Sequence, residues 1–192
     1  MSTDKYWSTL HEHPHSWSQV VSLYWRRYPN PSSGHVFSED FVEVKRREDG
    51  RLYTKRLLIK TNKPPSWSSH FFSAKDVPVI EEAVIDPEAR TMTTYTRNIG
   101  LRYFMGTTER VTYKPAAEGE KTEVLKEVWI NSGVYGFRSA IKKFGVDRFK
   151  RNCVAATDGF EHVLRKKLDP CDSRTKFQAQ NAGGVSSTEN LT

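Results

Sequence analysis

Apolar residues after Ser16 recur at steps of three and four: Trp17, Val20, Val21, Tyr24, Trp25 and Tyr28. That spacing lines one side of a helix, and Ser16 supplies an N-cap hydroxyl just ahead of it. Pro29 and Pro31 end the helix, because a proline pushes its preceding residue out of helical geometry. Beyond His35 the period becomes two. Residues 36–44 and 52–60, joined across Arg47-Glu48-Asp49-Gly50, predict an antiparallel hairpin. Residues 77–85, 91–99, 107–114 and 123–131 predict four more strands, and the more polar residues 4–10 a first one. The links between strands are too short for βαβ crossovers, so the strands form a meander. From residue 134 to 168 the period returns to 3.6, with Phe137, Ile141, Phe144, Phe149, Cys153, Phe160 and Leu164 on one stripe. At 1.5 Å per residue this helix would reach about 50 Å, enough to cross a whole sheet. Gly145 and Gly159 within it predict bends.

The pattern defines an α+β fold: a curved antiparallel sheet of about seven strands gripping a long C-terminal helix, with room between the layers for an apolar ligand. Residues 1–168 make one domain. Residues 169–192, polar and without periodicity, predict a disordered tail. Residues 61–76 interrupt the strands with two prolines and several serines, yet carry Trp67, Phe71 and Phe72. Such a segment is a core plug or a mobile lid whose aromatics touch a membrane interface.

Charge narrows the choice of partner. The 192 residues carry a net charge of +7. With a pI of about 9.4 and a mean hydropathy of −0.68, the chain favours an acidic partner such as nucleic acid, a lipid headgroup or an anionic membrane. Residues 134–168 alone hold nine Lys/Arg against three acids. The two cysteines, Cys153 and Cys171, lie outside any zinc spacing, and a free buried Cys153 is expected. His11, His13 and His15 alternate, but Pro14 interrupts them and no further ligand is near, so no metal is expected. The first 20 residues show neither an apolar run nor an arginine, so composition alone reads as cytosolic.

Polar exceptions to the pattern cluster. Arg27 and His35 flank the first turn, built from Pro29, Asn30, Pro31 and Gly34, which is either an ordinary connection or one wall of an anion site. Alternation in the third strand puts Arg56, Leu58 and Lys60 on one face, which is either solvated or inward with cations that need anions. Arg148 and Asn152 stand one turn apart beside the stripe of the long helix. Cations at one end of an apolar cavity describe a site for an amphiphile with an anionic head, and a phosphate suits Arg forks and a Lys point charge.

The runs Arg27-Tyr28-Pro29-Asn30-Pro31 with His35-Val36, Arg56-Leu57-Leu58-Ile59-Lys60, Thr91-Met92-Thr93-Thr94-Tyr95-Thr96-Arg97-Asn98 and Phe144-Gly145-Val146-Asp147-Arg148-Phe149-Lys150-Arg151-Asn152 resemble the PRELI family. The similarity spans about residues 5–168, with several motifs in order. It is closer to the branch that moves phosphatidic acid than to the Slowmo branch associated with phosphatidylserine. The resemblance implies a phospholipid carrier of the mitochondrial intermembrane space that feeds cardiolipin synthesis and needs no cofactor. It also implies a heterodimer with a small helical protein bearing twin Cys-x9-Cys motifs. By position it assigns Arg27, His35, Arg56, Lys60, Arg148 and Asn152 to the headgroup, and Lys63, Trp67, Phe71 and Phe72 to the entrance, lid and membrane contact. Where the family commonly has a lysine two turns beyond Arg148, this chain has Ala155, which bears on lipid preference.

Two other classes fit less well. A nucleic-acid module would interleave exposed aromatics with Lys/Arg, whereas Trp17, Tyr24, Phe144 and Phe149 fall on core stripes. An enzyme would need paired acid and base groups, and His35 is the only inward candidate that the pattern offers.

Overall fold

Nine strand residues, Lys5–His13, open the chain as β1, and they pair not with the next strand in sequence but with the last. The computed structural model describes residues 4–61 and 76–168. After β1 come α1 (Trp17–Leu23) with a 3-10 turn over Tyr24–Arg26, β2 (Val36–Arg46), β3 (Leu52–Thr61) and β4 (Asp76–Asp86). Then follow β5 (Thr91–Asn98), β6 (Gly106–Pro115), β7 (Thr122–Asn131) and α2 (Arg138–Leu168). The seven strands form one antiparallel sheet in the order β1-β7-β6-β5-β4-β3-β2. Register shifts near Phe37 and Val42 interrupt the β2–β3 ladder, as bulges do where a strand bends.

Ser16 caps α1 with a reciprocal pair: its backbone N–H donates to Gln19 Oε1 at 3.0 Å while its hydroxyl accepts from the Gln19 N–H. The apolar face of α1 packs Trp17, Val20, Val21 and Leu23 onto Ile85, Met92, Tyr113 and Val124 of the sheet and Phe160 and Leu164 of α2. A second apolar cluster joins Val128, Ile130 and Val146 with Trp7, Met105 and Phe149.

The long helix starts at Arg138, four residues later than the pattern of residue 134 suggests. Gly136 sits at φ 80° in a turn ahead of it, a conformation that stops a helix from extending backward. Gly145 and Gly159 do not break α2, which runs unbroken to Leu168. They are points of close approach. A Cβ on Gly145 would lie 2.9 Å from Ile130 and Met105, and one on Gly159 2.3 Å from Asn30 Oδ1. Lys63, Trp67, Phe71, Phe72 and the expected tail after residue 168 lie outside the described residues.

Candidate functional site

Two polar rows cross the inner face of the sheet. In the first, strand register sets Arg56 opposite Glu81, Glu81 opposite Thr96, Thr96 opposite Glu109 and Glu109 opposite Val128. In the second, Thr54, Ala83, Thr94, Val111 and Lys126 stand in line. The row of Leu52, Ile85, Met92, Tyr113 and Val124 on one side is apolar, the row on the other sets Leu58 and Val79 beside Asn98, and the two hydrophobic clusters lie apart. Charged side chains do not close the gap by packing, and a cavity of about 270 Å³ remains there. Its opposite wall is α2, with Phe144, Arg148, Phe149, Asn152 and Cys153. Cys153 is free, and burial pushes its thiol up to about 12.

Glu81 is the hub of the polar rows. Arg56 donates to Glu81 Oε1 through Nε at 3.2 Å and Nη2 at 2.5 Å, and to Glu39 through Nη1 at 2.7 Å. Arg27 Nη2 donates to the other Glu81 oxygen, and its Nη1 to the Tyr24 carbonyl at 3.0 Å. The Arg27 guanidinium lies over the Tyr24 ring at 4.0 Å and the Tyr28 ring at 4.6 Å. Burial alone would push the Glu81 carboxyl up; Arg27 and Arg56 overcome it and hold it at about 2. For Arg27, burial acts against the charge, but Glu81 holds its pKa well above the ordinary value.

The first turn places the next groups. Asn30 Nδ2 donates to the Arg27 carbonyl at 2.6 Å and Asn30 Oδ1 accepts from Ser32 N–H at 3.0 Å, so one side chain ties both ends of the Pro-rich turn. The His35 carbonyl then accepts from Thr61 N–H at 2.8 Å, bringing His35 beside the end of β3. Lys60, His35, Arg148 and Asn152 all line the cavity, with Arg27. Burial lowers the pKa of His35, and Lys60 and Arg148 lower it further, so the imidazole is held neutral among cations. Burial also lowers that of Arg148, with Arg151 adding to it.

The structure therefore brings Arg27, His35, Lys60, Arg148 and Asn152 onto one cavity. Arg56 is the correction. It is 1% exposed and committed to Glu81 and Glu39, behind the wall rather than on it. The face it shares with Lys60 does point inward, and the anion that a buried cation requires is the protein's own. Ala155 lies outside the set of described residues that line the cavity, whereas Asn152, Ala156 and Thr157 belong to it.

Sequence reasoning missed Lys126, Glu109, Glu81 and His13, all of which line the cavity. His35 is thus not the only inward acid–base group. Lys126 Nζ donates to Thr157 Oγ1 at 2.8 Å, tying β7 to α2. Burial raises the pKa of Glu109 against the pull of Lys60 and Lys126. Alternation along β7 sets Lys126 on the face of Val124, Val128 and Ile130, and along β6 sets Glu109 with Val111 and Tyr113, which was the available signal. His13 and His15 each meet Glu161, at 2.9 and 3.0 Å, and fasten β1 and α1 to α2. Among the described residues no group of three His, Cys, Asp or Glu side chains is placed to hold a metal, and no helix is long and apolar enough to cross a membrane.

Known proteins share this fold. The START superfamily protein from Mycobacterium smegmatis superposes with a TM-score of 0.51 at 14% identity, covering 83% of this chain and 98% of that one. Such a likeness establishes the fold. In sequence, the chain is 40% identical over 175 residues to the chicken (Gallus gallus) PRELI domain-containing protein 1, mitochondrial, covering 89% of this chain and 81% of that protein. It is 32% identical to Protein UPS1, mitochondrial, of Saccharomyces cerevisiae, over 82% of this chain and 91% of that one. The model of the PRELI-like family matches residues 18–170, and with 40% identity across most of a relative's length the chain belongs to the PRELI-like family.

Proposed function

We propose that this protein is a mitochondrial lipid carrier, moving phosphatidic acid through the intermembrane space from the outer to the inner membrane for cardiolipin synthesis. The observation that carries the reading is the cavity between sheet and α2, where apolar walls meet Lys60, Arg148, His35 and Asn152. An amphiphile satisfies both surfaces at once: acyl chains replace water against Val79, Phe104 and Phe149, and a phosphate meets the cations. Arg27 and Arg56 act at one remove in this scheme. They saturate Glu81, so the carboxylate does not compete with the phosphate. The mitochondrial names of the relatives support the location. Membership in the family supports a heterodimer with a small twin Cys-x9-Cys protein. The process is binding and release, with no bond made or broken. An aromatic platform for nucleic acid has less support, since Trp17 and Tyr24 are buried and Phe144 and Phe149 face the cavity.

The test is transfer of fluorescent phospholipids between liposomes by the full chain co-purified with the Cys-x9-Cys protein. Phosphatidic acid, phosphatidylserine and phosphatidylcholine are compared. Selective transfer of phosphatidic acid, lost in Lys60→Glu, is the expected result. Transfer of phosphatidylserine in its place would keep the carrier and change its cargo; transfer of none would overturn the reading.

A further inference from the structure

Two loops meet at the end of the sheet where the cavity is bounded by Lys60, Thr61, Leu101 and Met105. One, residues 99–105, joins β5 to β6; the other, residues 132–137, joins β7 to α2. They are fastened together. Gly133 N–H donates to the Tyr103 carbonyl at 2.7 Å, and a Cβ on Gly133 would lie 2.6 Å from the Tyr103 ring, so only glycine lets the loops touch. Asn98 braces the first loop from within, donating to the carbonyls of Gly100 at 2.6 Å and Met105 at 3.0 Å and accepting from Thr107 N–H at 2.8 Å.

This braced pair holds large apolar side chains in water. Tyr103 is 75% exposed and Tyr135 88%, with Ile99 and Phe137 half-exposed beside them. A rigid loop that keeps aromatic rings outside the fold gains nothing for stability from doing so. Within the two loops and the first turns of α2 the charge is of one sign. Arg102, Arg138 and Lys143 are exposed, and no Asp or Glu occurs in residues 99–106 or 131–143. Tyrosines flanked by Arg and Lys match the boundary between lipid headgroups and acyl chains, where an amphipathic ring sits at headgroup level and cations meet anionic phosphates. The inner side of the same loop is cavity wall, through Leu101, Phe104 and Met105. One short segment thus has a face toward solvent and a face toward the ligand space.

We infer that the paired loops 99–105 and 132–137 form the surface that docks on an anionic bilayer, seating Tyr103 and Tyr135 among the headgroups so that a lipid passes over Leu101 and Met105 into the cavity. The inference rests on the carrier reading and adds the face by which the protein meets its membrane. It draws on none of residues 62–75, which the sequence reads as a core plug or a lid that touches a membrane interface.

The experiment uses the full chain, vesicles containing phosphatidic acid, and the double variant Tyr103→Ser/Tyr135→Ser. Val42→Ser/Val44→Ser removes exposed apolar side chains from β2 and serves as the control. Flotation with vesicles should fall at least tenfold in the tyrosine variant, with transfer falling in step, and stay at the wild-type level in the control. Short-chain phosphatidic acid below its micelle concentration needs no membrane to reach the cavity, and the tyrosine variant should bind it as the wild type does. Wild-type flotation by the tyrosine variant would overturn the inference. So would a loss of short-chain binding in that variant, since the tyrosines would then serve the cavity or the fold. If the wild type itself floats but binds no short-chain lipid, the carrier reading fails while the docking surface stands.

Discussion

Exchanging Arg56 for methionine separates two accounts of the same cation. Read from the sequence, Arg56 contacts the ligand headgroup; in the structure it bridges Glu81 and Glu39 and is shut off from the cavity. Arg56→Met keeps the apolar stem and removes three donated hydrogen bonds, two to Glu81 and one to Glu39. Glu39 is partly exposed and regains water, while Glu81 keeps Arg27 as its counter-charge. Breaking a buried pair costs about 3–5 kcal/mol, and the surviving Arg27 contact places this variant near the lower edge, about 3 kcal/mol. For a domain of this size that is a fall in Tm of roughly 6–12 °C.

Lys60→Met is the matched comparison. Lys60 lines the cavity and acts on Glu81 only through its charge, after Arg27 and Arg56, so its loss should move unfolding less than the loss of Arg56. A charge-assisted hydrogen bond is worth about 1.5–3 kcal/mol, or roughly a ten- to hundredfold loss of affinity for an anionic lipid. Urea unfolding gives the first quantity, and titration with short-chain phosphatidic acid in the fully folded range gives the second. The expected pattern is crossed: Arg56→Met loses stability and keeps affinity, Lys60→Met the reverse. If Arg56→Met unfolds like the wild type and loses anion binding as Lys60→Met does, the Glu81 hub is not what holds Arg56 and the argument is wrong.

Three further outcomes follow from the same geometry. Lys60 and Arg148 join burial in depressing the pKa of His35, so an anion that neutralises them should raise it; binding then takes up a proton, and affinity should increase as pH falls between the free and bound pKa values. The slope should vanish in His35→Gln, and an unchanged slope there would assign it to the ligand's own phosphate. Glu109 has a pKa raised by burial, so its carboxylate destabilises the fold at neutral pH and this burden is relieved as pH falls through the folded value. Glu109→Gln should therefore be more stable than the wild type at pH 7 with the gap closing in acid, and equal stability at both pH values would refute this. Gly159→Ala should destabilise by about 1–3 kcal/mol despite the better helix former, because the new methyl meets Asn30 Oδ1 at 2.3 Å and Asn30 is fixed by the turn; a stabilised variant in chemical denaturation would show that the turn yields.

Much of the fold is legible because its signals are local. Ser16 with Gln19, the alternation of the strands and the stripe on α2 each act within a few residues, and each element formed in the expected order, although α1 gives way to a 3-10 turn after Leu23 and α2 starts only at Arg138. Arg27, His35, Lys60, Arg148 and Asn152 line one cavity, but the pattern alone leaves the turn and the Lys60 face open between two readings, and it is the family resemblance that groups the five. What pairs with them is not legible. Glu81 lies 54 residues from Arg27 and 25 from Arg56, and only the strand register sets it between them. Local pattern carries no register across a sheet. Lys126 shares a face with Val124, Val128 and Ile130, but a lone lysine in a strand ordinarily reads as solvated. Gly145 and Gly159 signalled something, yet a bend and a close approach look alike until the facing side chain is known.

These unread groups explain why a cavity exists at all. Had the rows through Glu81, Glu109 and Lys126 been apolar, the clusters around Met92 and Ile130 would merge into one core, and close-packed side chains would fill the space. A band of charge cannot be packed shut without stranding an ion, so it holds the two halves of the core apart. Within that band Arg27, Arg56 and Glu81 satisfy one another, whereas Lys60 and Lys126 act on Glu109. Among the described lining residues Arg27, Lys60, Lys126 and Arg148 outnumber Glu81 and Glu109, and this surplus is what the proposed phosphate would meet.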